Sequence, residues 1–212
     1  MTQTKWPPAN PGRFNKIERS ILDKVTGVST KISHFVSRSD HWIYYRTTGG
    51  LYWKVFTDFA PAFNVNGVSG SSSRETHFAV ARREHVKPVI GILSSSLFWW
   101  WYTISSNLRD LNPTDIQSFP VPELALESLS VIKASETYLK ELSKNSTMLI
   151  REQKSTGRTE TQSFKIQKCK SQIDEIDRLI APFYGLTDAE LDFIVHYDLK
   201  FRLGSGSDGA DE

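Results

Sequence analysis

The chain has 212 residues, of which 39% are hydrophobic and 12% aromatic, a composition that allows one good core and a small second one. Its single cysteine, Cys169, excludes an internal disulfide framework. The five histidines are scattered without ligand spacing, so no metal site is predicted. The opening MTQTKWPPANPGRF lacks the apolar stretch of a signal peptide, and we therefore expect a cytoplasmic protein.

The formal net charge of +2 hides an uneven distribution. Residues 1–92 carry 13 Lys and Arg against 6 Asp and Glu, whereas residues 93–212 carry 13 against 18. The first part is therefore basic and the second acidic. A localised basic face is typical of proteins that bind polyanions, because neutralising phosphates releases condensed counterions. A chance asymmetry of solvated charges is the other interpretation of this pattern.

The N-terminal segment, residues 1–34, is predicted to be an extension with one short helix. Its prolines come first, and Ile17, Ile21, Leu22 and Val25 then recur at helical spacing.

Short runs rich in aromatic and β-branched residues follow: HWIYY, LYWKVF and HFAVA. They are separated by TTGG and NVNGVSGSSS, which are turn signals because glycine supplies the positive φ that tight turns need. We predict a small antiparallel sheet with a hairpin at TTGG.

The stretch KPVIGILSSSLFWWWYTISSN carries no charge from Pro88 to Leu108. Its length and Pro88 predict one helix. A membrane span needs about 20 predominantly apolar residues, and the serines interrupt this run. Three consecutive tryptophans point 100° apart on a helix, so the stretch is predicted to be the packing centre of an α+β domain, residues 35–122. Trp100 is expected in the core.

Residues 123–203 are predicted to be helical. Apolar residues recur at heptad spacing from Glu123 to Ile150 and again from Ile166 to Phe183, with the polar stretch REQKSTGRTETQS as a loop between them. The prediction is an antiparallel helical hairpin, and a coiled-coil dimer is the alternative. Thr187 and Glu190 form a capping box that starts the last helix. Residues 204–212 are an acidic tail that buries nothing.

Signatures of catalysis are weak in this chain. G-x-S-x-G and Walker motifs do not occur. The one G-x-G-x-x-G, GSGSDG at residues 204–209, falls in the predicted acidic tail, without the strand before it and the helix after it that a nucleotide-binding loop needs. Cys169 lies in an apolar seam, where packing is its expected role. Glu152-Gln153-Lys154 gives a single E-x-K, the minimal pattern of a metal-dependent nuclease. We predict no catalytic residue here and keep the nuclease as a minor alternative.

The pattern that remains favours recognition of double-stranded DNA. Arginine pairs with guanine edges, while short hydroxyls and amides bind phosphates or bases. The predicted DNA-contacting residues are cations and small polar residues of the basic block and of the turn after the tryptophans: Arg38, His41, Arg46, Lys54, Ser71, Ser72, Ser73, Arg74, Arg82, Arg83, Asn107 and Arg109.

The order of motifs resembles the C-terminal target-recognition region, the TaqI-like specificity domain, of restriction-modification DNA adenine methyltransferases, including fused type II and IIG enzymes. IYYRTTGGLYWKVF, GSSSRETHF, ILSSSLFWWWY with its FPVP exit, and IDEIDRLIAPFYGLTDAELDFIVHYDLKFR carry the resemblance, over residues 35–203. The cofactor loop of such enzymes is missing. Their N-P-P-[YF] motif is missing too, because neither Asn10-Pro11-Gly12 nor Asn112-Pro113-Thr114 has the second proline. The resemblance implies a recognition module without a cofactor of its own. Its partner would be a methyltransferase catalytic domain, in cis or in trans, that uses S-adenosylmethionine.

One further interpretation stays open at this point. The heptad seams could bind a partner helix, which would make the chain a protein interaction module with an incidental basic face.

Overall fold

The computed structural model describes residues 15–48, 54–153 and 157–199, and it is an α+β protein. The α-helices among these residues are α1 (Lys16–Thr26), α2 (Val86–Leu93), α3 (Ser96–Ser105), α4 (Pro113–Gln117), α5 (Glu123–Glu127), α6 (Leu129–Lys144), α7 (Lys170–Tyr184) and α8 (Asp188–His196). The strands are β1 (Trp42–Arg46), β2 (Phe56–Thr57), β3 (Phe63–Val65), β4 (Val68–Ser69), β5 (Glu75–Ala79), β6 (Ser146–Gln153) and β7 (Gly157–Phe164). Short 3₁₀ turns cover Ile32–His34, Arg83–His85 and Ile166–Cys169.

The predicted N-terminal helix is confirmed as α1. Asn15 caps it, because its side-chain oxygen accepts a hydrogen bond from the Glu18 backbone at 2.9 Å. Ile21, Leu22 and Val25 are buried, whereas Ile17 is exposed. The helix packs against α8.

The predicted antiparallel sheet is confirmed as a three-stranded sheet in the order β2-β1-β5. Tyr45 pairs with Phe56 on one side of β1 and with Thr76 on the other. Alternation along β1 buries Ile43 and Tyr45. Two glycines of TTGG and the first three residues of LYWKVF lie outside the described residues.

The prediction of one helix from Pro88 to Asn107 is wrong. Two helices, α2 and α3, are separated at Ser94 and Ser95. The Ser95 hydroxyl accepts a hydrogen bond from the Phe98 backbone at 3.1 Å, so it caps a new helix instead of extending the old one. Asp177 of α7 completes the cap from a distance, accepting from the backbone of Ser96 and Leu97 at 3.2 and 3.3 Å.

The role predicted for the tryptophans is confirmed. Trp99, Trp100 and Trp101 are all buried, and Trp100 is 0% exposed. In the same helix the Phe98 ring lies 5.9 Å from Phe56 of β2. The α3 helix therefore joins the three-stranded sheet to the helical part of the chain.

Gly91 lets α2 and α6 approach closely. A Cβ at this position would lie 2.0 Å from the Ser135 Oγ and 2.9 Å from the Ser135 Cβ.

We expect Gly91→Ala to lower the free energy of unfolding by about 1–3 kcal/mol through overpacking, as measured by urea denaturation. Gly70→Ala is the matched control, because a Cβ there meets nothing within 4 Å. Adding Ser135→Gly to Gly91→Ala should destabilise by less than the sum of the single effects, and strict additivity would contradict the predicted clash.

The predicted helical pair is confirmed in part. Leu139 and Leu142 of α6 are buried with Ile173, Ile176 and Ile180 of α7, and the two helices are in contact. The seams therefore pack against each other within one chain. Leu129 is 73% exposed, so the first position of the predicted seam is not part of it.

The loop predicted between these helices is a β-hairpin. The α6 helix ends at Lys144. Strands β6 and β7 then pair along their whole length, with Ser146 opposite Phe164 at one end and Gln153 opposite Gly157 at the other. They join β3 and β4 in a four-stranded sheet of order β4-β3-β7-β6. Leu149, predicted in a helical seam, lies on β6 and is 40% exposed. The polar pattern of β7 hid this hairpin, because Phe164 at its end is the one residue of the strand that packs against the core.

The predicted boundaries at 34/35 and 122/123 do not divide the structure. Strands β3 and β7 pair across the second boundary, and Ile32 donates a hydrogen bond to the Phe119 carbonyl across the first. One hydrophobic cluster runs from Ile21 to Ile194. The predicted tail, residues 204–212, lies outside the described residues.

Candidate nucleic-acid interface

The predicted DNA-contacting residues separate into two groups at opposite ends of the three-stranded sheet. Eight of them lie at or beside the end of β1 and the start of β5: Arg46, Lys54, Ser71, Ser72, Ser73, Arg74, Asn107 and Arg109. We call this the Arg74 end. Arg38, His41, Arg82 and Arg83 lie at the other end, which we call the Arg82 end. The five residues of β1 separate the two by about 13 Å.

Backbone hydrogen bonds hold three separate segments together at the Arg74 end. Thr47 donates its backbone N–H to the Arg74 carbonyl at 2.8 Å, and its hydroxyl donates to the same oxygen at 3.0 Å. The Leu111 backbone donates to the Thr47 carbonyl at 2.8 Å. The serine-rich loop before β5 and the polar turn after α3 are therefore neighbours, although they are distant in sequence.

Two arginines at this end are exposed. Arg74 and Arg109 are both exposed, and neither forms an ion pair with any described residue. Ser71 and Ser73 beside Arg74 are exposed as well. Free guanidinium groups next to hydroxyls are suited to binding phosphates and base edges.

Arg46 lies deeper than these two residues. It is half-buried opposite Glu75 in the sheet register, and its Nε is buried without a hydrogen-bond partner among the described residues. Burial raises the pKa of Glu75, and the Arg46 charge opposes that rise. Arg46 therefore lies beside Glu75 in the sheet and is less exposed than Arg74 and Arg109.

Lys54 is not on the surface. It is 9% exposed, and its Nζ lies 5.0 Å from the centre of the Tyr102 ring. Burial lowers the pKa of Lys54, while the carboxylates of Asp110 and Asp115 act in the opposite direction. The predicted direct contact with DNA does not match this position, since the ammonium group lies over an aromatic ring inside the protein.

The polar turn after α3 has a fixed shape. Ser106 Oγ accepts a hydrogen bond from the Leu108 backbone at 2.9 Å, and Asn107 Oδ1 accepts from the Arg109 backbone at 3.0 Å. The Asn107 and Arg109 side chains are exposed. The turn therefore holds these two predicted contact residues in a set backbone geometry.

Of the three arginines at the Arg82 end, Arg82 forms ion pairs with described residues. Arg82 pairs with Glu84 at 3.1 Å and with Glu127 at 3.0 Å. His41 lies 3.2 Å from the Asp40 carboxylate. Arg38 and Arg83 are exposed there. The structure thus does not bring these four residues to the Arg74 end.

Residues of the nuclease alternative are not gathered into a site. Glu152 is exposed on β6 opposite Arg158, and Lys154 lies outside the described residues. Within residues 15–48, 54–153 and 157–199, no group of three or more His, Cys, Asp or Glu side chains could hold a metal ion. Over the same residues, no helix has the length and apolar character needed to cross a bilayer.

Sequence reasoning missed Thr47 and Leu108, which are both part of the Arg74 end. Thr47 acts through its backbone and its hydroxyl, and a lone threonine after a strand gives no signal of either contact. Leu108 is a lone apolar residue in SSNLRD, and an exposed leucine is common on protein surfaces. Its backbone conformation, seen only in the structure, distinguishes it.

Comparisons with known proteins find no matching family model, no matching curated protein and no matching solved structure. The structure defines the class as α+β. The similarity to methyltransferase specificity domains stays a prediction from the sequence motifs.

Proposed function

We propose that the chain is a sequence-specific recognition module for double-stranded DNA, and that the Arg74 end is its contact surface. The supporting observation is the convergence of Arg74, Arg109 and the serine-rich loop at one end of the sheet. These groups come from segments more than 30 residues apart, and the two arginines are exposed and unpaired among the described residues.

Each part of the Arg74 end has a matching role in DNA recognition. Arg74 or Arg109 can donate two parallel hydrogen bonds to guanine, or one to a phosphate. The side chains of Ser71, Ser73 and Asn107 can bind phosphate oxygens of the DNA. Such contacts fix the register of the protein on the duplex. Within the family that the motifs resemble, this module would work with a catalytic domain that binds S-adenosylmethionine and modifies adenine.

The first test is selection from a randomised duplex pool by the purified chain at two salt concentrations. We expect enrichment of one short motif and an affinity that falls as salt rises. Absence of binding at both salt concentrations would reject the proposal.

Arg74→Ala is expected to distinguish base recognition from phosphate contact. Loss of a base contact lowers discrimination at one position by about 1–3 kcal/mol. Loss of a phosphate contact weakens binding to all sequences alike. It also makes the slope of log K against log salt concentration shallower by about 0.9. Binding titrations of the selected motif and of single-base variants at several salt concentrations measure both.

Arg178→Ala is the matched control for that substitution. Arg178 is an exposed arginine of α7, paired with Glu175 and outside both ends of the sheet. The Arg178→Ala variant should bind DNA as the wild type does. If Arg38→Ala and Arg83→Ala weaken binding while Arg74→Ala and Arg109→Ala do not, the contact surface is the Arg82 end and the assignment is wrong.

Protein interaction is the second candidate, and β6 is the observation that favours it. This strand lies at the edge of the four-stranded sheet and exposes Met148, Leu149 and Ile150. Exposed edge strands pair with other chains. The seams of α6 and α7 do not serve this role, because they pack on each other.

A further inference from the structure

Leu108 has an unusual backbone at the tip of the Ser106–Asp110 turn. Its φ is 61°, in the left-handed region. The other described non-glycine residues in this region are Asn66 and Asp198, which are types that tolerate it. Leucine does not gain from this conformation, so its neighbours must hold it there.

Hydrogen bonds fix the turn on both sides of Leu108. The Ser106 and Asn107 side chains accept from the backbone of Leu108 and Arg109. The Ser106 backbone is anchored to Tyr102 at 3.0 Å, and the Leu111 backbone to Thr47 at 2.8 Å. Leu111 itself is 0% exposed. A rigid base therefore carries an exposed tip.

The tip presents an apolar side chain among polar ones. Leu108 is 51% exposed, between the exposed side chains of Asn107 and Arg109. Water contact makes this position unfavourable for leucine in the free protein, and the strained backbone adds to that. A single exposed leucine is ordinary on a protein surface, so it is the positive φ of Leu108, together with its place beside Arg109, that distinguishes this position.

We propose that Leu108 is a wedge that inserts between two stacked base pairs of the bound duplex. This inference rests on the proposed function. Leucine side chains used in this way partly unstack one base step and bend the duplex, and flanking cations hold the phosphates. Arg109 and Arg74 are the flanking cations here. The wedge would add specificity for an easily unstacked step, such as a pyrimidine-purine step.

Leu108→Gly tests the wedge without threatening the fold. Glycine adopts a positive φ without strain, so the turn should form and the melting temperature should not fall. The matched control is Leu124→Ala, which shortens a leucine of α5 that is 69% exposed and lies outside the turn.

The probe is the duplex selected by the wild-type chain, with 2-aminopurine replacing in turn each adenine of the motif and its flanks, on either strand. We expect binding of the wild type to raise the fluorescence several-fold at one step, because the base there loses its stacking. With Leu108→Gly the rise should disappear and the affinity should fall about tenfold, from loss of one buried leucine. Leu124→Ala should behave as the wild type.

The outcomes separate the wedge from the proposed function. Selective binding by the wild type with no fluorescence rise at any position, or an equal rise with Leu108→Gly, would overturn the wedge and leave the recognition module standing. A lower melting temperature for Leu108→Gly would assign Leu108 a structural role instead. Absence of DNA binding by the wild type would overturn both.

Discussion

Replacing Trp100 with alanine is expected to lower the free energy of unfolding by about 3–5 kcal/mol. Trp100 is 0% exposed at the centre of α3, and its Nε1 has no hydrogen-bond partner among the described residues. Its stabilisation therefore comes from packing, and truncation leaves a large cavity that its neighbours cannot fill. Urea denaturation followed by circular dichroism measures the change.

Two further variants make this test specific. Trp42 is 39% exposed and packs on His77 with ring centres 4.7 Å apart, so Trp42→Ala should destabilise by no more than about 1.5 kcal/mol. Trp100→Phe should lie between the wild type and Trp100→Ala, because it keeps an aromatic ring. Equal losses for Trp42→Ala and Trp100→Ala would contradict the central role of α3.

The second large effect is a loss of stability in acid through Glu190. Burial on its own raises the pKa of this carboxyl, but hydrogen bonds from Lys24, Ser20 and Thr187 outweigh it and lower the pKa to about 2. Lys24 Nζ lies 2.5 Å from one carboxylate oxygen, and the Ser20 hydroxyl donates to the other at 2.6 Å. These contacts connect α1 to the capping box of α8.

The direction of the pH effect follows from these values. An unfolded glutamate has a pKa of about 4.3, so the folded state binds the proton more weakly than the unfolded state does. The stabilisation is fully present above about pH 5 and disappears as the pH falls towards 2. At about 1.4 kcal/mol for each pH unit, the contribution is on the order of 3 kcal/mol.

Urea denaturation at pH 7, 5 and 3 tests this prediction. Glu190→Gln should be less stable at pH 7 and should lose less stability than the wild type between pH 5 and 3. Glu175→Gln is the control, because its exposed pair with Arg178 is expected to contribute little. Parallel pH profiles for the wild type and Glu190→Gln would show that Glu190 does not stabilise the contact of α1 with α8.

The sequence predicted the elements whose signals are local. Apolar spacing located α1 and the seams of α6 and α7, and the Thr187 capping box located the start of α8. Aromatic and β-branched runs located the sheet, because alternation encodes one buried face. Trp100 was correctly placed in the core, since a large apolar run must be buried somewhere in a soluble composition.

Other features failed because their causes lie far away along the chain. The break before α3 depends partly on Asp177, which caps it from α7. The hairpin of β6 and β7 depends on pairing with β3, about 100 residues earlier. The sequence predicts Lys54 as a DNA contact, but its ammonium group is buried over the Tyr102 ring, near the carboxylates of Asp110 and Asp115.

The sequence by itself determined the α+β class, the type of residue available for recognition and the central position of the tryptophans. These features follow from the amino-acid composition and from the spacing of apolar residues, and both can be read from short stretches of sequence. Only the tertiary structure decided which candidates are neighbours. Thr47 joins the segments of Arg74 and Leu111 through hydrogen bonds of its backbone and hydroxyl to groups far away along the chain, and these contacts bring the residues of the Arg74 end together.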